Sequence, residues 1–515
     1  MKRHVLGVVL VFLVVGPVRA REVSITILHT CDLHGHILPT EDYAGTTNVG
    51  GLARCATVIR DVRSREKNVL LVDAGDTIQG TALSHMSDGK AMVRALNLLR
   101  YDAWVWGNHE FDWGLKKLAG CAELAEMPIL NANVAGMAKI RPYILREVDG
   151  VKVAIIGLNT PGIPNWSRPR LLAGLQFEDS LATLAKIVPQ ARSEGARVLA
   201  LVCHQGFKEG GDDHANQVRE IARNFPELDV IIGGHTHRDI PEFMISKILY
   251  SQADHHGIHL GRVDVVYDTE TGRVTKRRAN TLLMDERVTM DAELLRLLGP
   301  DIDRSEKTLN QVIGTAAREI DQRTGQRRET PLHALFFEAI VAAFRKHGVK
   351  VEAVVHGLLD RQTVIHKGSI TVGDVWRIVP YENTLGICRL SAAELREVLD
   401  ENAGTYGTPA FRGIWGLRWA FDPDAPAGKR TATLTRPDGS PIGATEKIAV
   451  AFNSYDLASG GLRWKKLREL ADKPSSELVE YDFQTREAVI DYIRDTGTIT
   501  PKVAGWWKMK RIKAG

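Results

Sequence analysis

Residues 107–112, Gly-Asn-His-Glu-Phe-Asp, place an amide oxygen, an imidazole and two carboxylates directly after the apolar run 104–106. Such a concentration of polar groups indicates chemistry rather than packing. Comparable donors follow four other apolar runs in the first half of the chain, at residues 25–28, 69–72, 198–202 and 230–232. In chain order, the candidate metal ligands are Asp32, His34, Asp76, Asn108, His204, His235 and His237.

Seven donors are too many for one tetrahedral zinc ion, but they suit two divalent cations that share a bridging carboxylate. Two ions about 3.5–4 Å apart polarise a water molecule and stabilise the attacking and leaving oxygens of a phosphoryl transfer. The negative charges of the two carboxylates, Asp32 and Asp76, do not balance the charges of two dications, so the site keeps a net positive charge. The expected substrate is therefore a small phosphate ester.

The elements that must position these donors are predicted from hydropathy. The five apolar runs read as buried strands of an α/β sheet, because amphipathic helical patterns separate them at residues 52–65, 115–124 and 181–191. Ligands at the carboxyl ends of such strands lie along one sheet edge, where open α/β sheets bind substrates. One site built from five loops is expected.

Length and composition set the domain count. A chain of 515 residues with 44% hydrophobic and 25% charged residues reads as a globular protein of two or three domains. Its net charge of +4 and the lack of long like-charge blocks argue against a nucleic-acid polymer as partner. The five cysteines fit neither a disulfide framework nor a metal ribbon.

The first residues resemble a secretory signal peptide. Lys2 and Arg3 precede an apolar run at residues 5–15, and the small-residue site at 18–20 predicts cleavage after Ala20. The run is shorter than the ~20 residues that span a bilayer, so a cleaved signal is favoured over an anchor. The mature protein is expected in the periplasm or outside the cell, with no membrane attachment.

A second domain is predicted downstream. A short amphipathic helix at residues 292–298 precedes Gly299, Pro300 and a charged run, which predicts a linker at 293–310. Helices at 332–344 and 392–399 and strands at 351–355 and 448–452 then indicate an α+β domain. The predicted division is a signal at 1–20, a first domain at 21–292, and a second domain at 311–515.

Three histidines are not predicted to bind metal. His255, His256 and His259 fall between two strand patterns, so a solvated turn is the preferred interpretation.

The segments that carry the candidate ligands resemble the motifs of the calcineurin-like metallophosphoesterases. They are residues 32–35, 75–76, 107–110 and 234–237, together with His204. The contexts at 73–81 and 107–114 resemble the exported 5′-nucleotidase branch, which includes UDP-sugar hydrolases and 2′,3′-cyclic-nucleotide phosphodiesterases. The resemblance implies a four-layer α/β/β/α sandwich, followed by an α+β substrate-recognition domain.

The resemblance also implies roles. One ion, Mn, Zn or Fe, is expected on Asp32, His34, Asp76 and His237, and a second on Asp76, Asn108, His204 and His235. His109 is expected to stabilise the transition-state charge or to protonate the leaving oxygen, with Asp112 orienting it. Glu110 is expected to be a supporting or surface residue.

The second half resembles the 5′-nucleotidase C-terminal domain more loosely. In the turn 356–361, only Gly357 and Arg361 match the family pattern, and Leu462 stands where many members have an aspartate. Arg361 is a candidate for phosphate or carboxylate binding. Phe411 and Tyr455 are candidates for an aromatic pair that stacks on a base, although a core position is equally compatible with each.

The sequence therefore predicts an exported two-metal hydrolase of nucleoside 5′-monophosphates. A UDP-sugar, a cyclic nucleotide or a non-nucleotide ester are alternative substrates of the same site. A branch that hydrolyses sulfur-linked conjugates is disfavoured by the intact 108–112 segment. A catalytically silent binding protein is disfavoured because every ligand and His109 are retained.

Overall fold

The computed structural model describes residues 21–323, 325, 327–359 and 364–511. The predicted signal peptide and Arg361 lie outside the described residues. Within the described residues, no helix is both long and apolar enough to cross a membrane.

The N-terminal domain contains fifteen strands within the described residues: β1 (Glu22–Thr30), β2 (Val69–Asp73), β3 (Ala103–Val105), β4 (Ile129–Leu130), β5 (Val134–Ala135), β6 (Ile140–Arg141), β7 (Tyr143–Val148), β8 (Val151–Leu158), β9 (Gln176–Phe177), β10 (Val198–Cys203), β11 (Val230–Gly233), β12 (Asp239–Ile245), β13 (Ile248–Ala253), β14 (His259–Asp268) and β15 (Arg273–Leu283). Its helices are α1 (Leu52–Arg65), α2 (Ala82–Met86), α3 (Lys90–Leu98), α4 (Leu115–Leu124), α5 (Ser180–Ser193) and α6 (Val218–Asn224). Short 3₁₀ turns cover His109–Phe111, Ile163–Asn165 and Pro169–Leu171.

Two sheets carry the predicted strands. The first sheet has the order β15-β14-β1-β2-β3-β4-β6, and the second has the order β12-β13-β11-β10-β8-β7. The apolar runs became β1, β2 and β3 in the first sheet and β10 and β11 in the second, and neighbours among them run parallel. We expected all the candidate ligands to lie along the edge of one sheet, and this is wrong. The loops that carry them come from two sheets and converge.

Burial on both faces of each sheet produces four layers. Apolar side chains such as Ile25, Val72, Val202 and Ile232 pack between the sheets. Helices α1, α3 and α4 cover the outer face of the first sheet, and α5 and α6 cover that of the second. The predicted α/β/β/α sandwich is confirmed.

The predicted linker is largely a single helix, α7 (Ala292–Leu309), that continues through Pro300. The predicted stop at Leu298 is wrong. Leu294 and Leu298 are buried against the N-terminal domain, and Asp301 forms ion pairs with Arg94 and Arg304. This packing offsets the backbone hydrogen bond that proline removes. The residue limits of the two domains stay a prediction.

The C-terminal half is α+β, as predicted. Its strands are β16 (Val312–Ala316), β17 (Ala353–His356), β18 (Gly368–Thr371), β19 (Thr384–Ser391), β20 (Gly413–Trp415), β21 (Arg418–Phe421), β22 (Thr431–Thr435), β23 (Lys447–Asn453), β24 (Val479–Gln484), β25 (Thr498–Ile499) and β26 (Trp507–Met509). Its helices are α8 (Pro331–Lys346), α9 (Val372–Ile378), α10 (Ala392–Ala403), α11 (Ser454–Leu457), α12 (Lys465–Ala471) and α13 (Thr485–Thr496), with a 3₁₀ turn at Pro474–Ser476. The central sheet has the order β20-β17-β23-β19-β24.

The two halves meet along a polar interface. Arg168 donates to the Leu457 carbonyl at 3.0 Å and contacts the carboxylates of Asp472 and Glu480 at 3.1 and 3.3 Å. Gln79 donates to Glu382 at 2.5 Å. These contacts hold the C-terminal half over the ends of the N-terminal strands.

Candidate active site

Six of the seven predicted ligands form two groups. Asp32, His34 and His237 make one group, and Asp76, His204 and His235 make the other, with the potential ligand atoms of each group within 4.8 Å of one another. These are the groups of three or more such side chains found among the described residues. The seventh predicted ligand, Asn108, joins the second group, because its Oδ1 lies 3.2 Å from His204 Nε2.

The Asp76 carboxylate lies between the groups. Its Oδ2 is 3.0 Å from His204 Nε2 and 3.9 Å from His34 Nε2. On the far side, His34 Nε2 is 3.1 Å from His237 Nε2, which is 3.4 Å from Asp32 Oδ1. A carboxylate with ligand atoms on both sides is the arrangement that two neighbouring cations require.

Backbone conformation marks the same residues. Five predicted ligands have positive φ angles between 46° and 71°, a region that non-glycine residues rarely adopt: Asp32, His34, Asp76, His235 and His237. Each such conformation costs on the order of 1 kcal/mol or more and persists where function requires it. At Gly107, an added Cβ would lie 2.2 Å from Asp76 Oδ1, so only glycine allows this loop approach.

Hydrogen bonds on the outer side of the site fix the histidine tautomers. The Nδ1–H of His34 donates to the Gln79 carbonyl at 2.9 Å, and that of His204 donates to the Ala74 carbonyl at 2.8 Å. In each neutral ring, the Nε2 lone pair then points into the site. Histidines that ligate metals have this outer-shell hydrogen bond, so the residues present fit divalent cations.

The electrostatics of the donors also suit metal binding. Burial lowers the pKa of His34 and of His235 to about 3, which keeps both imidazoles neutral. Burial would raise the pKa of Asp76, but His204 and His109 outweigh it and lower that pKa well below its usual value. Burial lowers the pKa of His204, but the nearby Asp76 carboxylate raises it to about 9. A bound dication would displace this proton, because it would bind the same imidazole nitrogen and carboxylate.

His109 and Asp112 form a pair beside the metal ligands. His109 Nδ1 donates to Asp112 Oδ2 at 2.7 Å, and its ring centroid is 5.3 Å from that of His34. Burial disfavours the imidazolium, but the Asp112 and Asp76 carboxylates raise the pKa of His109 to about 10. The side chain therefore carries a proton that it can donate.

A cavity of about 480 Å³ opens over this pair, between the two halves of the chain. Asn108, His109, Asp112 and His235 line it from the N-terminal half, and Tyr381, Arg412, Tyr455 and Arg463 are among the residues that line it from the C-terminal half. Its size suits a small organic molecule.

Comparison with known proteins agrees with this geometry. Residues 25–239 match the calcineurin-like phosphoesterase model, and residues 312–469 match the 5′-nucleotidase C-terminal domain model. The chain belongs to the 5′-nucleotidase family of metallophosphoesterases. It is thus a phosphoric ester hydrolase, and its fold implies divalent metal ions.

Individual relatives match this metallophosphoesterase over more than nine-tenths of its length. The snake venom 5′-nucleotidase of Crotalus adamanteus is 27% identical over 95% of this chain and 89% of that protein. The trifunctional nucleotide phosphoesterase YfkN of Bacillus subtilis is 28% identical over 94% of this chain, which spans only 34% of YfkN. The crystal structure of a 5′-nucleotidase precursor from Thermus thermophilus has a TM-score of 0.72 at 27% identity and covers 94% of this chain and 99% of that one.

The predicted substrate residues of the metallophosphoesterase have different surroundings. Tyr455 lines the cavity, whereas Phe411 is only 4% exposed and stacks on Trp419 in the C-terminal core, with ring centroids 6.0 Å apart. The stacking role of Tyr455 and Phe411 stays a prediction, and Arg361 lies outside the described residues. Arg412 was not predicted; it lines the cavity and forms two hydrogen bonds with Asp456, at 2.8 and 3.0 Å.

Glu110 supports the metal loops and is not on the surface. It is 1% exposed, and its carboxylate accepts backbone N–H groups from Asp76, Thr77, Ile78 and Gly107 at 2.6–3.2 Å. The carboxylate thereby ties the Asp76 loop to the segment that carries His109. The supporting alternative of the prediction is therefore right and the surface alternative is wrong. No local pattern showed the contacts with residues 76–78, because these lie more than thirty positions away in sequence.

Replacing this carboxylate should loosen the loops. In Glu110→Gln, one acceptor oxygen becomes an NH₂ group that faces backbone donors, so the amides of Asp76, Thr77 and Gly107 should exchange with solvent about tenfold faster or more. Hydrogen exchange read by mass spectrometry measures this change. Amides of β10 serve as the internal control, and unchanged exchange at residues 76–78 would contradict the supporting role.

Tyr43 is a further neighbour that the sequence did not reveal. Its hydroxyl lies 2.9 Å from His237 Nδ1, and its ring stacks on His255 at 4.2 Å between centroids. His255 is 4% exposed and His256 stacks on His36 at 3.7 Å, so the predicted solvated turn is wrong. The turn at 254–257 packs behind the Asp32 group.

Removing the Tyr43 hydroxyl should weaken metal binding. Tyr43→Phe keeps the stacked ring but loses the contact that orients His237, and loss of such an outer-shell partner costs about 10–100-fold in metal affinity. Titration calorimetry with Mn²⁺ measures the affinity of each ion. Tyr481→Phe, in the C-terminal half, is the matched control, and equal affinities in the two variants would refute the effect.

Proposed function

We propose that the chain is an exported hydrolase that uses two divalent ions to convert nucleoside 5′-monophosphates into nucleoside and inorganic phosphate. The observation that carries this proposal is the Asp76 carboxylate, which lies between two ligand groups. His235 of the second group lines the interdomain cavity together with Asn108 and His109. The names of several relatives, which include 5′-nucleotidases, support the nucleotide preference.

The proposed ligand sets follow from the contacts above. One ion is assigned to Asp32, His34, Asp76 and His237, and the other to Asp76, Asn108, His204 and His235. Oxygen and imidazole donors suit Mn, Zn or Fe. When bound, these ions supply positive charge to the phosphate oxygens and a polarised water.

The chain's own residues complete the reaction. The water oxygen adds to phosphorus in line with the ester oxygen, and the bond from phosphorus to that oxygen breaks. One water proton stays on the product phosphate, and the other reaches the departing oxygen, either directly or by replacing the proton that His109 donates. His109, held by Asp112, donates its proton to the departing oxygen or stabilises the charge that develops beside it. Because Asp112 accepts the Nδ1–H of His109, the proton that the ring can donate is the one on Nε2.

The binding part of the proposal uses the C-terminal half. Tyr455 offers a flat aromatic face on the cavity wall, which stacks on a base without requiring one particular base. We retain residues 21–292 and 311–515 as the two proposed domains and residues 1–20 as an export signal. Periplasmic or extracellular location follows from that signal, and amino-terminal sequencing of exported protein would test it.

A phosphate-release panel tests the activity. AMP, UDP-glucose, 2′,3′-cyclic AMP and p-nitrophenyl phosphate are compared with Mn²⁺, Zn²⁺ or a chelator. We expect phosphate release from AMP when metal is present. The chelator should lower the rate of release by at least about 10³-fold, because the ions supply several kcal/mol of transition-state stabilisation. Hydrolysis of p-nitrophenyl phosphate but of no nucleotide in the panel would reject the nucleotidase activity and keep the phosphoesterase activity. No turnover with bound metal would favour a silent binding protein.

A further inference from the structure

Among the described residues, three arginines line the interdomain cavity, and two of them are already paired with carboxylates. Arg168 is 5% exposed and contacts Asp472 and Glu480 at 3.1 and 3.3 Å. Arg412 is also 5% exposed and binds Asp456 through two nitrogens. Their charges are therefore matched within the protein, and both side chains act as parts of the cavity wall.

Arg463 differs from these two. Its side chain is exposed at the cavity, where Nε donates to the Gly460 carbonyl at 2.8 Å and Nη2 donates to the Tyr455 hydroxyl at 2.5 Å. Among the residues that the structure describes, no carboxylate lies within ion-pair distance of its guanidinium. Neutral oxygens thus orient a cation without cancelling its charge, which leaves donors for an anion.

Contacts connect Arg463 to the catalytic end of the cavity. The Trp166 ring lies 5.1 Å from that of the metal ligand His235. Trp166 also packs against Gly461, where an added Cβ would lie 2.7 Å from the indole nitrogen. Tyr455 and Arg463 follow on the same wall, with the guanidinium 5.8 Å from the tyrosine ring centroid. A molecule whose phosphate sits at the metal ligands therefore extends along an aromatic wall toward an unpaired cation.

We propose that Arg463 is a specificity-determining residue that binds a second anionic group, carboxylate or phosphate, on the organic part of the phosphate ester. This inference rests on the proposed hydrolase function and extends its substrates beyond nucleoside 5′-monophosphates, whose nucleoside carries no second anion, to phosphate esters with two anionic ends. A planar guanidinium binds either anion through paired hydrogen bonds, and partial exclusion of water strengthens such bonds.

Non-hydrolysable phosphonates separate this charge effect from turnover. The probes are 4-carboxybenzylphosphonate, its neutral analogue 4-carbamoylbenzylphosphonate, and p-xylylene bisphosphonate. Titration calorimetry with the Mn²⁺-supplemented full chain compares their affinities. We expect the carboxylate or the bisphosphonate to bind at least about tenfold more tightly than the carbamoyl probe. Whichever binds more tightly identifies the second anion.

Variants identify the residue responsible. Arg463→Gln should remove the preference by weakening only the doubly anionic probes. Arg278→Gln, an exposed arginine on β15, is the matched control and should keep the preference. Equal binding of all probes by the unmodified chain, or an equal loss for all probes in Arg463→Gln, would overturn the inference.

The hydrolase proposal and this inference fail in different ways. Absence of phosphate release from AMP and from every other ester would reject the hydrolase activity, while the phosphonate preference is read from binding alone. A chain that hydrolyses AMP but binds the charged and neutral phosphonates equally would keep the proposed function and reject the role of Arg463.

Discussion

Asp76→Asn is expected to lower kcat for AMP by about 10³-fold or more and to reduce bound metal from two ions to one or none. The carboxylate lies 3.0 Å from His204 Nε2 and 3.9 Å from His34 Nε2, so it faces both proposed ions. An amide offers one neutral oxygen in place of a charged pair. Stopped assays of phosphate release and metal analysis after desalting measure the two effects.

Asparagine is the appropriate replacement because it preserves the fold at this position. Asp76 has φ of 53°, and asparagine tolerates the left-handed region better than most residues. The amide oxygen can also still accept the His109 backbone N–H, now at 2.8 Å from Asp76 Oδ1. Asp88→Asn, another left-handed aspartate, is the control because Asp88 pairs with Lys117 outside the site. Full activity in Asp76→Asn with two bound ions would contradict a bridging role.

His109→Gln should lower kcat for AMP by about 10²–10⁴-fold while two ions remain bound. The imidazole is held by Asp112 at 2.7 Å and stands beside His34 without belonging to either ligand group. Its removal therefore affects proton donation and charge stabilisation, not metal binding. Steady-state kinetics and metal analysis on the same preparation give both quantities.

The leaving group distinguishes the two roles of His109. A nucleoside oxygen needs a proton as it departs, whereas p-nitrophenolate leaves without one, so proton donation predicts a much smaller loss with p-nitrophenyl phosphate. Equal losses with the two esters would assign charge stabilisation instead. His214→Gln, an exposed histidine, should leave both rates unchanged. A His109→Gln variant as active as the unmodified chain would rule out both roles.

The convergence of the proposed ligands was predictable because hydropathy and chain order place each of them after an apolar run. Each apolar run became a strand, and each polar cluster after it lies at the carboxyl end, as at β2 and Asp76 or at β10 and His204. Helix α1 covers residues 52–65 as predicted, since its apolar spacing repeats with the helical period. The division of the strands between two sheets came only from the family resemblance, because runs buried on both faces look alike in either sheet.

The supporting contacts were not predictable from local patterns. Tyr43 lies in an irregular loop and contacts His237, which is 194 positions away in sequence. The Glu110 carboxylate accepts hydrogen bonds from backbone N–H groups of a different loop. The position of Phe411 was also not predictable from the sequence. An aromatic residue reads identically whether it faces a cavity or the core, and here tertiary packing places it against Trp419.

Anomalous diffraction from crystals grown with Mn²⁺ tests the two-ion centre most directly. We expect two peaks about 3.5–4 Å apart, on either side of the Asp76 carboxylate, with Asp32, His34 and His237 around one and Asn108, His204 and His235 around the other. A single peak, or ions bound away from Asp76, would contradict it.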